Sequence, residues 1–170
     1  VSYPDRVAKL LAAFEAHPDA YAVGSAVNEV DDSDRLLRRE AWYLDSPMNQ
    51  HKLLHEGKFV TLLGASMAVR RELIHGLPQL VGLVEDNMLT LRASLFGQVY
   101  CLREPLLNYR RHAGNLGQTV FVRKGPSRSA RRQRYERTIR MYREIADDHE
   151  RCLRALPQLT PERRELAEQI

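Results

Sequence analysis

Long apolar runs, cysteine clusters and repeats are what this chain lacks. No apolar stretch approaches the roughly 20 residues that span a bilayer, which excludes a helical membrane anchor within it. Val1-Ser2-Tyr3-Pro4-Asp5-Arg6 has no apolar core of a signal peptide, so the chain reads as cytoplasmic, with its start left open. Two cysteines, Cys101 and Cys152, give neither a disulfide framework nor metal-ligand spacing and read as reduced, half-buried thiols. Neither a repeat nor a low-complexity tract appears. What is present is 170 residues, 44% hydrophobic and 28% charged, enough for one domain-sized core and too apolar for a disordered chain.

The net charge of +4 sits in one place. Between Arg123 and Arg154 there are eleven basic and five acidic residues, against fifteen and seventeen elsewhere. The pattern divides at Lys124-Gly125-Pro126-Ser127, giving residues 1–122 and a basic helical extension, 123–170.

Helices and strands alternate, which points to an α/β layered domain. A helix is expected over Pro4–His17, with Val7, Leu10, Leu11 and Phe14 at helical spacing. A strand comes next, over Ala20–Val30. Turn residues Asp31-Asp32-Ser33-Asp34 then return the chain as a second hairpin arm, Arg35–Arg39. Ser46-Pro47 reads as a cap opening a helix that Gly57 ends. Phe59–Val69 is strand-like with Gly64-Ala65-Ser66 inside it, and Arg71–His75 is one helical turn. Glu85–Phe96 is helical, with two carboxylates placed favourably at its N-terminus. Gln98–Leu102 and Leu106–Arg110 read as strands. Arg128–Leu156 reads as an amphipathic helix with Tyr135, Ile139, Tyr142, Ala146, His149 and Leu153 on one stripe. Thr160-Pro161 caps a last helix.

Glu85-Asp86 and the later run Glu104-Pro105-Leu106-Leu107-Asn108-Tyr109-Arg110-Arg111-His112-Ala113-Gly114-Asn115 resemble, in order and spacing, the xED and EPLxxYRxHxxN segments of family 2, GT-A-fold glycosyltransferases. Gly64-Ala65-Ser66-Met67-Ala68-Val69-Arg70-Arg71 is similar to that family's GAsxAxRR segment. The resemblance spans roughly residues 1–118 and the second half of a GT-A domain. Val1-Ser2-Tyr3-Pro4-Asp5-Arg6-Val7 matches the residues just after the family's metal-binding Asp cluster. The nucleotide-binding strands and DxD ligands are therefore expected upstream of Val1.

The resemblance implies inverting transfer of a sugar from a nucleotide-diphosphate donor to a hydroxyl on a saccharide, lipid-linked or polymer acceptor. Asp86 would be the base, a carboxylate needing only reach and a tuned pKa, with Glu85 beside it. Gly64, Ala65 and Ser66 would line the donor-sugar side of the pocket, Gly and Ala leaving room for the ring. Arg110 would offset the diphosphate charge with its bidentate fork. His112 would complete the shell of Mg2+ or Mn2+, which acts as Lewis acid on the leaving group. Gly114, Asn115 and Gly117 suggest a loop that closes over substrate. Asp32-Ser33-Asp34 has literal DxD spacing but matches the family's hairpin, so it is read as a solvated turn. Trp42, His51 and His55 are candidates to face an acceptor sugar.

Taken alone, a Glu-Asp pair is ordinary helix-start chemistry. The Arg-rich helix leaves three readings open: a solvated face, contact with an anionic membrane surface through residues 123–154, or, less favoured, nucleic-acid binding. A non-enzymatic basic module is the alternative function. Without the upstream strands, tight nucleotide binding and turnover are not expected, and an exposed sheet edge should drive self-association.

Overall fold

The computed structural model describes residues 1–56, 60–112, 115 and 127–170. Gly57, Phe59, Gly114, Gly117 and the boundary at 124–126 lie outside them.

The expected α/β class is what forms: a four-stranded mixed sheet and, among the described residues, five α-helices. The strands are β1 (Ala20–Val30), β2 (Leu36–Ala41), β3 (Ala68–Val69) and β4 (Gln98–Arg110). The helices are α1 (Arg6–Ala16), α2 (Gln50–Glu56), α3 (Glu85–Phe96), α4 (Arg128–Ala155) and α5 (Pro161–Glu168). β1 is the central strand. Parallel β4 runs along one edge of it from Ala20↔Gln98 to Val30↔Arg110. Antiparallel β3 takes Ala22–Val23 and antiparallel β2 takes Val27–Val30. A strand so enclosed must be small and apolar, and Ala20, Ala22, Val23, Ala26 and Val27 are wholly buried.

Alternation on β4 separates two layers. Tyr100 and Leu102 meet α1 through Leu10, Ala13 and Phe14. Val99 and Cys101 face the layer of Met88 and Leu91 on α3 and Met141 and Ile145 on α4. Lying between sheet and α4, α3 buries Asn87, Met88 and every residue from Thr90 to Leu95. The C-terminal segment expected as an extension therefore shares the core. Cys152, Leu153, Leu156 and Ala167 close it around Leu95.

Several expectations need correction. Phe59–Val69 does not form one strand. Leu63 carbonyl accepts both the amide and the hydroxyl of Ser66 (2.8 and 2.9 Å), turning the chain through a 3-10 helix at Gly64–Ser66 before the short β3. Ser46-Pro47 does not open α2, because Met48 exchanges both backbone hydrogen bonds with Val99 and holds this stretch extended. Asn49 supplies the cap instead, accepting from the Lys52 amide at 2.9 Å. The two strands expected within 98–110 are one strand, with a register shift near Pro105. On α1, Val7 and Leu11 are exposed while Leu10 and Ala13 are buried.

The stripe on α4 divides in two. His149 and Leu153 lie under the C-terminal residues, whereas Tyr135, Ile139 and Tyr142 remain 49–53% exposed and Ala146 is exposed as well. The face that meets α3 is Met141, Ile145, Asp148 and Cys152.

The outer edge of β4 is covered in part. Residues 1–3 pair with Leu106–Asn108, and Met48 pairs with Val99. Both cysteines are buried free thiols, and burial raises both pKa values, that of Cys152 to about 11. No helix among the described residues is long and apolar enough to cross a membrane.

Candidate active site

The first turn of α3 meets the 61–64 segment through a fixed set of hydrogen bonds. Asp86 Oδ2 accepts from the Gly64 amide at 3.0 Å and Oδ1 from the Asn87 amide at 3.0 Å. Thr90 Oγ1 donates to Asp86 carbonyl (2.8 Å) and accepts from the Leu62 amide (3.3 Å). Thr61 Oγ1 donates to Asn87 Oδ1 at 2.7 Å. Residues 86, 87 and 90 fall on one face of the helix, so a single surface orients both the loop and the carboxylate.

Above this junction opens a cleft of about 640 Å3. Gly64, Ala65, Glu85 and Asp86 line one part of it, and Tyr43, Tyr109 and Arg111 contribute as well. A volume of that order is in the range of small-molecule sites. Burial raises the pKa of Asp86. Its two amide donors oppose that rise, and the Glu85 charge adds a smaller push upward. The net result is a carboxylate whose pKa is raised by burial and which is held in one orientation. Glycine at position 64 permits this approach: a Cβ there would stand 3.0 Å from Asp86 Cβ and 3.1 Å from Oδ2. Gly64→Ala is expected to break the hydrogen bond that the residue 64 amide donates to Asp86, at a cost of about 1–3 kcal/mol. Loss of the Gly64 amide's hydrogen-bonded shift in an NMR spectrum is the check.

The candidate residues divide cleanly. Asp86, Glu85, Gly64 and Ala65 come together at the cleft. Ser66 does not line it; its hydroxyl points back to Leu63 and is buried. Arg110 is turned away, pairing with Asp34 in the hairpin turn at 2.5 Å. Strand alternation is the reason: Tyr109 and Arg111 face the cleft, so the residue between them cannot. His112 is exposed and outside the lining, its amide donating to Asn115 Oδ1. Trp42 stacks under Arg103 (4.2 Å), and His51 stacks on His55 (3.9 Å).

Sequence reading passed over Tyr43, Glu29 and Arg111. Tyr43 hydroxyl donates to Glu29 Oε1, and Arg111 Nη1 stands 4.0 Å from the same oxygen. Burial, and then the hydrogen bond to Glu29, push the Tyr43 phenol far above its ordinary value. The register of β4 against β1 (Glu29↔Tyr109) was the available signal, but only for a known strand pairing.

Asp32-Ser33-Asp34 forms the hairpin turn, as expected. Asp31 Oδ1 accepts the Ser33 and Arg35 amides (both 2.9 Å), and Asp34 takes a left-handed backbone (φ 61°). For Mg2+ or Mn2+, no group of three or more His, Cys, Asp or Glu is placed to hold an ion among the described residues. Comparison with protein-family models, curated proteins and solved structures finds no match to this chain.

Proposed function

We propose that the cleft is the sugar-transfer site of an inverting glycosyltransferase, and that the sheet and α3 correspond to the second half of a family 2, GT-A domain. The observation that carries the reading is the Asp86 carboxylate, fixed 3.0 Å from the Gly64 amide, its pKa raised by burial, at a cleft able to admit a saccharide. In the reaction, an acceptor hydroxyl oxygen attacks the anomeric carbon of a nucleotide-diphosphate sugar. The bond from that carbon to the diphosphate oxygen breaks, the electron pair leaves with the diphosphate, and the hydroxyl proton passes to Asp86. Ala65 and Gly64 leave the wall beside the carboxylate open, and Glu85 keeps the local field negative, favouring proton uptake.

The test is transfer by the intact protein from UDP-, GDP- and TDP-sugars to saccharide and lipid-linked acceptors, with Asp86→Asn alongside. Retained donor binding with lost transfer supports the reading; an Asp86→Asn protein that transfers at the wild-type rate refutes it.

A specific feature favours a second role for α4. Its uncovered Tyr135, Ile139 and Tyr142 stand on the same half of the helix as Arg128, Arg131, Arg132 and Arg143, at about 100° per residue. An apolar strip bordered by arginine suits the surface of an anionic bilayer. Retention on vesicles containing phosphatidylserine should fall steeply with salt and be lost when Tyr135, Ile139 and Tyr142 become serine. Retention unaffected by both changes contradicts the idea.

A further inference from the structure

We infer that Arg111, flanked by Tyr43 and Tyr109, is an oxyanion-reading subsite of the cleft, taking a carboxylate or phosphate carried by the molecule that enters it. The identity of that molecule rests on the sugar-transfer reading. The subsite itself rests on Arg111.

The Arg111 side chain is only 21% exposed and lines the cleft. Its backbone is fixed, since the amide donates to Val30 carbonyl at 2.7 Å. A guanidinium carries five N–H donors in a planar fork. Among the described residues none of the five makes a hydrogen bond; the one charged contact is Glu29 at 4.0 Å, beyond hydrogen-bond range. Glu29 is itself engaged by the Tyr43 hydroxyl and is 14% exposed, so it positions the cation and offsets its charge without using its donors. Leaving a mostly desolvated cation without hydrogen bonds is costly.

A buried and a half-buried arginine elsewhere in this protein are treated differently. Arg92 donates to Asp148 and to two backbone carbonyls. Arg70 donates to the carbonyls of Ala20 and Pro18. Arg111 alone among these three keeps its fork free while facing a cavity. An incoming oxyanion would supply the missing acceptors in bidentate geometry, and Tyr43 and Tyr109 line the same cleft. Asp86 lines the same cleft, so on the sugar-transfer reading an oxyanion held at Arg111 would help to orient the occupant.

The experiment is an NMR titration of the protein with sodium glucuronate, with inorganic pyrophosphate, and with neutral glucose at matched ionic strength. Glucuronate, pyrophosphate or both should shift the Arg111 and Tyr43 signals while glucose at equal concentration does not. Response to glucuronate identifies a carboxylate-bearing sugar; response to pyrophosphate alone identifies a phosphate. Arg111→Gln should weaken anion binding roughly tenfold or more, Arg111→Lys by less because it keeps charge without the fork, and Arg110→Gln should leave it unchanged. Undisturbed amide spectra for Arg111→Gln establish that its fold is kept. Equal binding by Arg111→Gln and wild type, shifts confined to Arg110 or α4, or no response to either anion overturns the subsite. Because no step of transfer is read, an inactive Asp86→Asn protein with intact anion binding separates failure of one idea from failure of the other.

Discussion

Asp148→Ala is expected to lose about 3–5 kcal/mol of folding stability, the scale of an uncompensated charge left in a core. Arg92 and Asp148 are 1% and 2% exposed, joined by Nη2–Oδ1 at 2.5 Å and Nε–Oδ2 at 2.8 Å. Arg92 further donates to the carbonyls of Leu73 and Pro78, and Arg151 adds a second cation at 3.1 Å from Asp148. One carboxylate thus ties α3, α4 and the loop before α3 into one unit. Removing it strands the Arg92 charge inside. With a urea m-value of about 2 kcal/mol/M, the midpoint should fall by roughly 2 M. The paired change Arg92→Met with Asp148→Leu should recover most of that loss, since apolar replacement of both partners removes the desolvation cost with the attraction. A loss below about 1 kcal/mol for Asp148→Ala would mean that α4 is not anchored through this pair.

Asp86→Asn is expected to lower transfer by about 10²–10⁴-fold, the range for removing a general base, while donor affinity changes little. Stability should change little. Burial raises the folded-state pKa of Asp86 above its ordinary 3.8, so between those two values the folded protein holds more protons than the unfolded chain. Stability therefore falls as pH rises through that window, and above it the ionised carboxylate is a standing cost. Asparagine keeps an acceptor for the Gly64 amide without the charge, but its NH2 group replaces the oxygen that accepts from the Asn87 amide. At neutral pH the two effects oppose each other, and the variant should melt close to the wild-type temperature. A variant both inactive and markedly less stable would point to a structural role. The pH profile of transfer should carry an acidic limb set by a pKa above 3.8, absent from any residual activity of the Asp86→Asn variant.

Where residues carry their own local signal, the fold was legible. Ala20–Val30, Glu85–Phe96 and Thr160-Pro161 gave β1, α3 and the α5 cap at their observed positions. A fully enclosed strand has to be small and apolar, and carboxylates gather at a helix start. Legibility ended where tertiary hydrogen bonds decide. Nothing in Phe59–Val69 announces that Leu63 will accept twice from Ser66 and that the 61–64 backbone will clasp α3. The Arg110-Arg111 pair is the sharpest case at the site. Both are arginines, and only the phase of β4 against β1 decides which one faces the cleft. On α4 the stripe of Tyr135, Ile139 and Tyr142 has correct helical spacing but the wrong face. Met141, Ile145 and Asp148 win because Arg92, 56 positions away from Asp148, requires a buried carboxylate. Asp86 could be singled out from sequence because its neighbour at the helix start and the downstream Tyr-Arg-Arg-His run narrowed the choice; its bond to Gly64 could not.

The most direct measurement is the pH titration of the Asp86 carboxyl carbon by NMR in the intact protein, with its upstream strands, with and without a nucleotide sugar. The Gly64 amide, whose proton rests on Oδ2, is the second reporter. A midpoint above 3.8, shared by both signals and displaced when the nucleotide sugar is added, is the predicted result. A midpoint at or below 3.8 with neither signal responding to the sugar would contradict Asp86 as the base of this cleft.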